Sequence, residues 1–146
     1  MGITESTELN TELREMPKCA ILLLGLFFFF TCTSGGSAPI TPELTTACNV
    51  TTQSKSRFSI TARWPKADGD PGKLFKYSVY YSTSPNMDTV AQIYGFGTIS
   101  LDSKADTYAW EVTGLTPLTI YYINVIVKGT SETAVAYCRL QEQTFP

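Results

Sequence analysis

Histidine is absent from all 146 residues. Its absence excludes serine or cysteine nucleophiles activated by an imidazole, the common zinc sites, and the usual charge switch near neutral pH. An excess of either charge is also missing. The formal net charge is −2; of 11 Lys and Arg only Arg14 and Lys18 precede Cys32, and of 13 Asp and Glu only Glu5, Glu8, Glu12 and Glu15 do, so nine of each sign remain from Cys32 onward. A neutral chain without a basic stripe is a poor partner for nucleic acid, because phosphate neutralisation dominates that affinity. A long apolar run is lacking too. The one continuous stretch, Ala20 to Phe30 (AILLLGLFFFF), would span about 17 Å as a helix against a hydrocarbon core of roughly 30 Å.

What is present begins with that stretch. Its length is that of a signal-peptide hydrophobic region; Arg14 and Lys18 form the positive flank, and small polar residues follow at once. Residues 1–31 are therefore expected to be a signal segment. The four glutamates before it are unusual in a leader, and Met16-Pro17-Lys18 is the more ordinary start, so translation is expected to begin at Met16. Cys32 stands directly after the apolar run, before Ser34-Gly35-Gly36-Ser37. This resembles the lipobox of bacterial lipoproteins, in which the cysteine becomes the lipidated first residue, although Phe30 departs from the usual small residue. The resemblance implies attachment to a membrane through Cys32; ordinary cleavage within Thr31–Ala38 is the alternative. Residues 32–42 read as a flexible tether.

Hydrophobic residues make up 43 % of the chain, enough for the remainder to fold. From residue 43 onward short strand-like runs alternate with turn clusters, and helical periodicity is missing, which is the pattern of an all-β sandwich or barrel. Thr45–Thr51 reads as a weak first strand. Phe58–Trp64 alternates with Phe58, Ile60, Ala62 and Trp64 on one face, and residues 65–73 are a loop. Leu74–Ser82 places Phe75, Tyr77, Val79 and Tyr81 on one face. Val90–Tyr94 reads as a short strand and Tyr108–Val112 as the next. Ile120–Lys128 puts Tyr121, Ile123, Val125 and Val127 inward, and Ala134–Leu140 closes the domain.

Trp64-Pro65, the Tyr77-Ser78-Val79-Tyr80-Tyr81 strand and Leu115-Thr116-Pro117-Leu118-Thr119-Ile120-Tyr121 together resemble a fibronectin type III module. The wording is similar to fibronectin type III lipoproteins of spirochaetes. The resemblance implies a seven-stranded immunoglobulin-like β-sandwich over 43–146, with Trp64, Tyr77, Val79, Leu115 and Pro117 as fold residues. It makes Tyr121 a tyrosine corner whose hydroxyl bonds back to the backbone near Leu115–Pro117. Leu118 departs from the usual Gly or Asn of that turn. Cys19 lies within the signal segment and Cys32 is taken by lipid, which leaves Cys48 and Cys138. In such a sandwich the first and last strands lie close, and an exported domain favours a disulfide between them; two buried free thiols are the alternative.

The functional signals are sparse. Asp68-Gly69-Asp70 resembles the start of a calcium loop but lacks the later ligands, so a polar turn is the simpler reading. Asp102, Asp106 and Glu111 could be paired carboxylates, yet no spacing sets two of them across a cleft. Asn49-Val50-Thr51 matches a glycosylation sequon. Lys128–Thr133 stands where adhesive modules carry Arg-Gly-Asp, and that tripeptide is absent. Tyr80, Ile120, Tyr122 and Ile126 alternate with inward residues and form a candidate exposed binding patch, with cover by residues 89–97 as the alternative. No catalytic centre, metal site or cofactor is expected, and the chain is not expected to be an enzyme. The resulting expectation is a protein-interaction or spacer module, with an adhesin for host matrix or glycans as the alternative. Its partner would be an unidentified protein or glycan, its place the bacterial cell envelope (outer membrane or periplasm) or, failing lipidation, a secreted form.

Overall fold

The computed structural model describes residues 38–44, 48–70, 72–131 and 133–146. The expected signal segment, residues 1–31, and Cys32 lie outside the described residues. Eight strands and one short helix follow in order. They are β1 (Thr51–Lys55), β2 (Ser59–Arg63), β3 (Lys76–Ser82), α1 (Val90–Phe96), β4 (Thr98–Ala105), β5 (Ala109–Thr113), β6 (Ile120–Lys128), β7 (Ala134–Ala136) and β8 (Leu140–Gln143). One sheet has the order β1-β2-β5; the other runs β4-β3-β6-β7, with β8 also on β6. All these pairings are antiparallel. β7 meets β6 at residues 126–128 and β8 meets it at 120–123, so the two are halves of one interrupted edge strand. Counted that way, the sandwich has the seven strands expected.

Period-2 patterning explains the core. Ile60, Ala62 and Trp64 of one sheet face Phe75, Tyr77, Val79, Ile123, Val125 and Val127 of the other, all buried in one cluster. The Trp64 and Tyr77 rings lie 6.2 Å apart, and Tyr77 meets Tyr108 edge-on at 5.5 Å. Tyr121 is buried, and its hydroxyl accepts the Thr116 N–H at 3.0 Å, which ties β6 to the turn before it. Leu115 is buried and Pro117 half-buried in that turn. Trp64 fills the centre as expected, but its indole N–H has no partner among the described residues.

Four expectations change. The first described strand is Thr51–Lys55, whose ladder to β2 begins at the pair Thr51–Arg63; of the expected Thr45–Thr51 strand, residues 45–47 lie outside the described residues and only Thr51 falls in β1. Phe58 is 57 % exposed, since it sits in the β1–β2 turn, ahead of the ladder, with the Arg57 guanidinium over its ring. Val90–Tyr94 is helix, not strand. The expected tether ends early: the Ile40 N–H donates to Thr130 Oγ1 at 2.9 Å and Thr130 N–H returns to the Ile40 carbonyl at 3.1 Å. Gly129 is what allows this approach, because a Cβ there would lie 2.0 Å from the Ile40 carbonyl oxygen.

Cys48 and Cys138 are joined by a disulfide, with Cα atoms 5.0 Å apart and a sequence separation of 90. The bridge sits where the edge strand is interrupted. There Cys138 N–H donates to the Cys48 carbonyl and Val50 N–H to the Cys138 carbonyl. Residues 48–50 thus bridge to Cys138, between β7 and β8, before the chain joins the other sheet as β1.

Candidate interaction surface

The outer face of β3 and β6 was the expected binding patch, and most of it is covered. Ile126 is buried, packed with Met87 and Ile93 beneath α1, while Tyr80 and Tyr122 are half-buried against the same cluster. Only Ile120 remains open, 43 % exposed near the far end of β6. The expectation of an exposed Tyr80–Ile120–Tyr122–Ile126 patch is therefore corrected: the β3–β4 connection folds back over the sheet.

The cover has identifiable local causes. Thr89 caps α1: its hydroxyl accepts the Gln92 N–H at 3.3 Å, and the Gln92 side chain accepts the Thr89 N–H at 3.2 Å. Val90 and Ile93 then fall on the face turned to the sheet. The helix closes at Gly97, where a Cβ would stand 2.6 Å from the Ile93 carbonyl oxygen. Two polar groups pin the segment before the helix. Asn124, fully buried on β6, donates to the Met87 carbonyl at 2.6 Å and accepts the Val125 N–H at 2.7 Å. Arg139 donates to the Pro85 carbonyl, pairs with Asp88 at 3.0 Å and lies over the Tyr122 ring. Sequence reading missed this element, although Thr89-x-x-Gln92 with apolar residues at 90, 93 and 94 was the signal for it.

What remains exposed and apolar is displaced onto the helix and the start of β4: Tyr94, Phe96 and Ile99. Tyr94 meets Tyr80 edge-on at 5.8 Å. Burial raises the Tyr80 phenol above its ordinary value. A second exposed group, Phe58, Leu118 and Phe145, lies where the β1–β2 and β5–β6 turns meet the end of the chain; Leu118 N–H donates to the Phe145 carbonyl, and Phe145 N–H to Ser56.

The Asp68–Asp70 loop is a structural turn. Asp70 Oδ1 accepts the N–H groups of Leu74 and Phe75 at 2.7 and 3.1 Å, Oδ2 faces Lys66 at 3.7 Å, and Gly69 takes a φ of 78°. Beneath it Tyr77 accepts the Ala67 N–H and Tyr137 donates to the Pro65 carbonyl. Burial pushes the Tyr77 and Tyr137 phenols up, and the Tyr108 phenol to about 12, chiefly by burial and then by its bond to Asp106. These hydroxyls stay protonated at neutral pH and serve as hydrogen-bond anchors. The three carboxylates weighed above are not brought together. Asp102 bonds Ser103, Asp106 is held below the usual carboxylate range by its bond from Lys73, and Glu111 lies on the other sheet. Among the described residues no group of three metal-ligating side chains converges.

No family model matches the chain, and no curated protein matches it. Solved structures do. The fibronectin type III domain of human fibronectin type III domain containing protein 3 superposes with a TM-score of 0.51 at 17 % identity, covering 78 % of this chain and 93 % of that one. The sixth fibronectin type III domain of the same human protein gives a TM-score of 0.47 at 17 % identity, over 78 % and 92 %. With three strands facing the four-position β4-β3-β6-β7/β8 sheet and the tyrosine corner in place, the fold of residues 39–146 is the fibronectin type III β-sandwich.

Proposed function

We propose that the protein is an exported, lipid-anchored module of the bacterial cell envelope that acts as a protein-interaction or spacer domain. The observation that carries the export reading is the Cys48–Cys138 disulfide, since such bridges form and persist in oxidising compartments. The apolar run ending at Cys32 supplies the leader and the lipid site. The fold supports a binding role rather than catalysis, because this sandwich is commonly an interaction module. Tyr94, Phe96 and Ile99 form the surface offered to a partner protein.

The test is metabolic labelling with palmitate. The native protein should label and partition into the detergent phase, because two or more acyl chains at about 0.8 kcal/mol per buried CH2 anchor a protein stably. Cys32→Ser should lose the label and either be released or accumulate unprocessed. Unchanged partitioning of Cys32→Ser would contradict the anchor.

A further inference from the structure

We propose that Lys76, Lys128 and Thr130 form a binding site for a phosphate-class anion at the end of the sandwich where the chain enters the domain. Lys76 lies directly opposite Lys128 in the β3–β6 ladder, and the same row continues to Ala105 on β4 and Ala134 on β7. Residues opposite one another in a ladder share a face. The two lysine side chains therefore leave the sheet on the same face, in a row with Ala105 and Ala134. Like charges so placed repel.

Lys66 pairs with Asp70 and Lys73 with Asp106, whereas among the described residues Lys76 and Lys128 make no ion pair. Asp102, on β4, is turned to the hydroxyls of Ser103 and Ser78 at 2.8 and 3.4 Å. The lysines border a pocket of about 400 Å³ that Leu74, Ser103, Gly129 and Thr130 complete. Thr130 Oγ1 accepts the Ile40 N–H, which leaves its own proton available to donate. The Lys128 ammonium lies 5.9 Å from the Tyr94 ring centroid. Two unpaired cations and a hydroxyl donor at one opening suit an oxyanion such as a phosphate monoester or diester.

The anion has two sources, a phospholipid headgroup or soluble phosphate. The headgroup source rests on the anchored reading above; the pocket itself does not. Ile40 lies eight residues after Cys32, a reach of at most about 28 Å, so an acylated Cys32 would keep this end of the domain near the bilayer.

The experiment uses the full chain solubilised in a nonionic detergent. It is titrated with inorganic phosphate and, separately, with glycerophosphoglycerol as a soluble headgroup diester, while the Lys128 and Thr130 amide resonances are followed. The expected result is a saturable shift with at least one probe. Affinity should fall at least about tenfold in K76Q/K128Q, equivalent to about 1.4 kcal/mol. K76R/K128R should retain binding, and K55Q, whose ammonium pairs with Glu142 elsewhere, should leave it unchanged. Tighter binding of the diester assigns the site to headgroups; tighter binding of inorganic phosphate assigns it to a soluble ligand, and both support the site. No saturable shift with either probe, or equal affinity in K76Q/K128Q, overturns it. K76Q/K128Q removes both a repulsion and the Lys128–Tyr94 contact, so its melting temperature should change little, and lost binding then reads as lost charge. Palmitate labelling of Cys32 is independent of all these outcomes.

Discussion

Leu118 carries the clearest local strain. It has a φ of 53° in the turn before β6 and is 63 % exposed, so its side chain stabilises little there. A left-handed conformation costs an L-residue roughly 1–2 kcal/mol, and Gly adopts it freely. Leu118→Gly is expected to raise unfolding stability by about 1 kcal/mol in urea denaturation, and a loss would mean the leucine packs in a way its exposure hides. Three positions on, Tyr121 acts through its hydroxyl. Tyr121→Phe leaves the Thr116 N–H without its acceptor and should cost roughly 1–3 kcal/mol by the same measurement. Both residues were legible through the resemblance to fibronectin type III modules, which implies a corner at Tyr121 and usually has Gly or Asn where Leu118 stands. The unpartnered indole N–H of Trp64 was not legible, because burial is read from pattern whereas hydrogen-bond satisfaction depends on the neighbours.

The strands with strict alternation, β2, β3 and β6, lay where their inward residues put them, because a one-residue slip would turn every apolar side chain to solvent. β1 was misplaced because its sequence, TTQSK, is a polar edge with a bulge between Thr52 and Ser54 and no apolar alternation. α1 was misread because Val90, Ile93 and Tyr94 are strand-prone types in a window too short for helical periodicity to stand out. That helix changes the expected effect at Ile126. Instead of a tolerated surface position, Ile126→Ala should destabilise by about 2–5 kcal/mol, and a near-neutral result would mean α1 does not cover the sheet. The two sheets are also joined through charge. Glu142 of β8 accepts from Lys55 at 2.7 Å and from Thr52 at 2.8 Å, both on β1, and the Lys55 bond first, then the Thr52 bond, holds its carboxyl below the ordinary 4.5. A depressed folded value makes this contribution complete above 4.5 and lost as pH falls through the folded value. Melting curves between about pH 3 and 7 should therefore show Glu142→Gln less stable than the native protein at neutral pH and the gap closing in acid. A gap independent of pH would contradict the linkage.

Across the whole molecule, one bridge ties the chain's entry into the sandwich to its last edge strand. It closes a loop with a sequence separation of 90, which in the chain-entropy model is worth roughly 4 kcal/mol. The disulfide bears on the proposed export: an oxidising compartment would keep the bridge closed, whereas a reducing one would leave two thiols. Fold and covalent closure follow from the residues. The partner does not, because the surface that alternation marked for binding is mostly covered by a helix, and the exposed side chains that replace it have no pattern in sequence. The most direct measurement is therefore alkylation of the native protein, taken from its own cells and denatured without reductant. Cys48 and Cys138 should resist alkylation and appear as one linked peptide pair, becoming reactive only after reduction. Alkylation of both without reductant would contradict an exported, disulfide-closed sandwich.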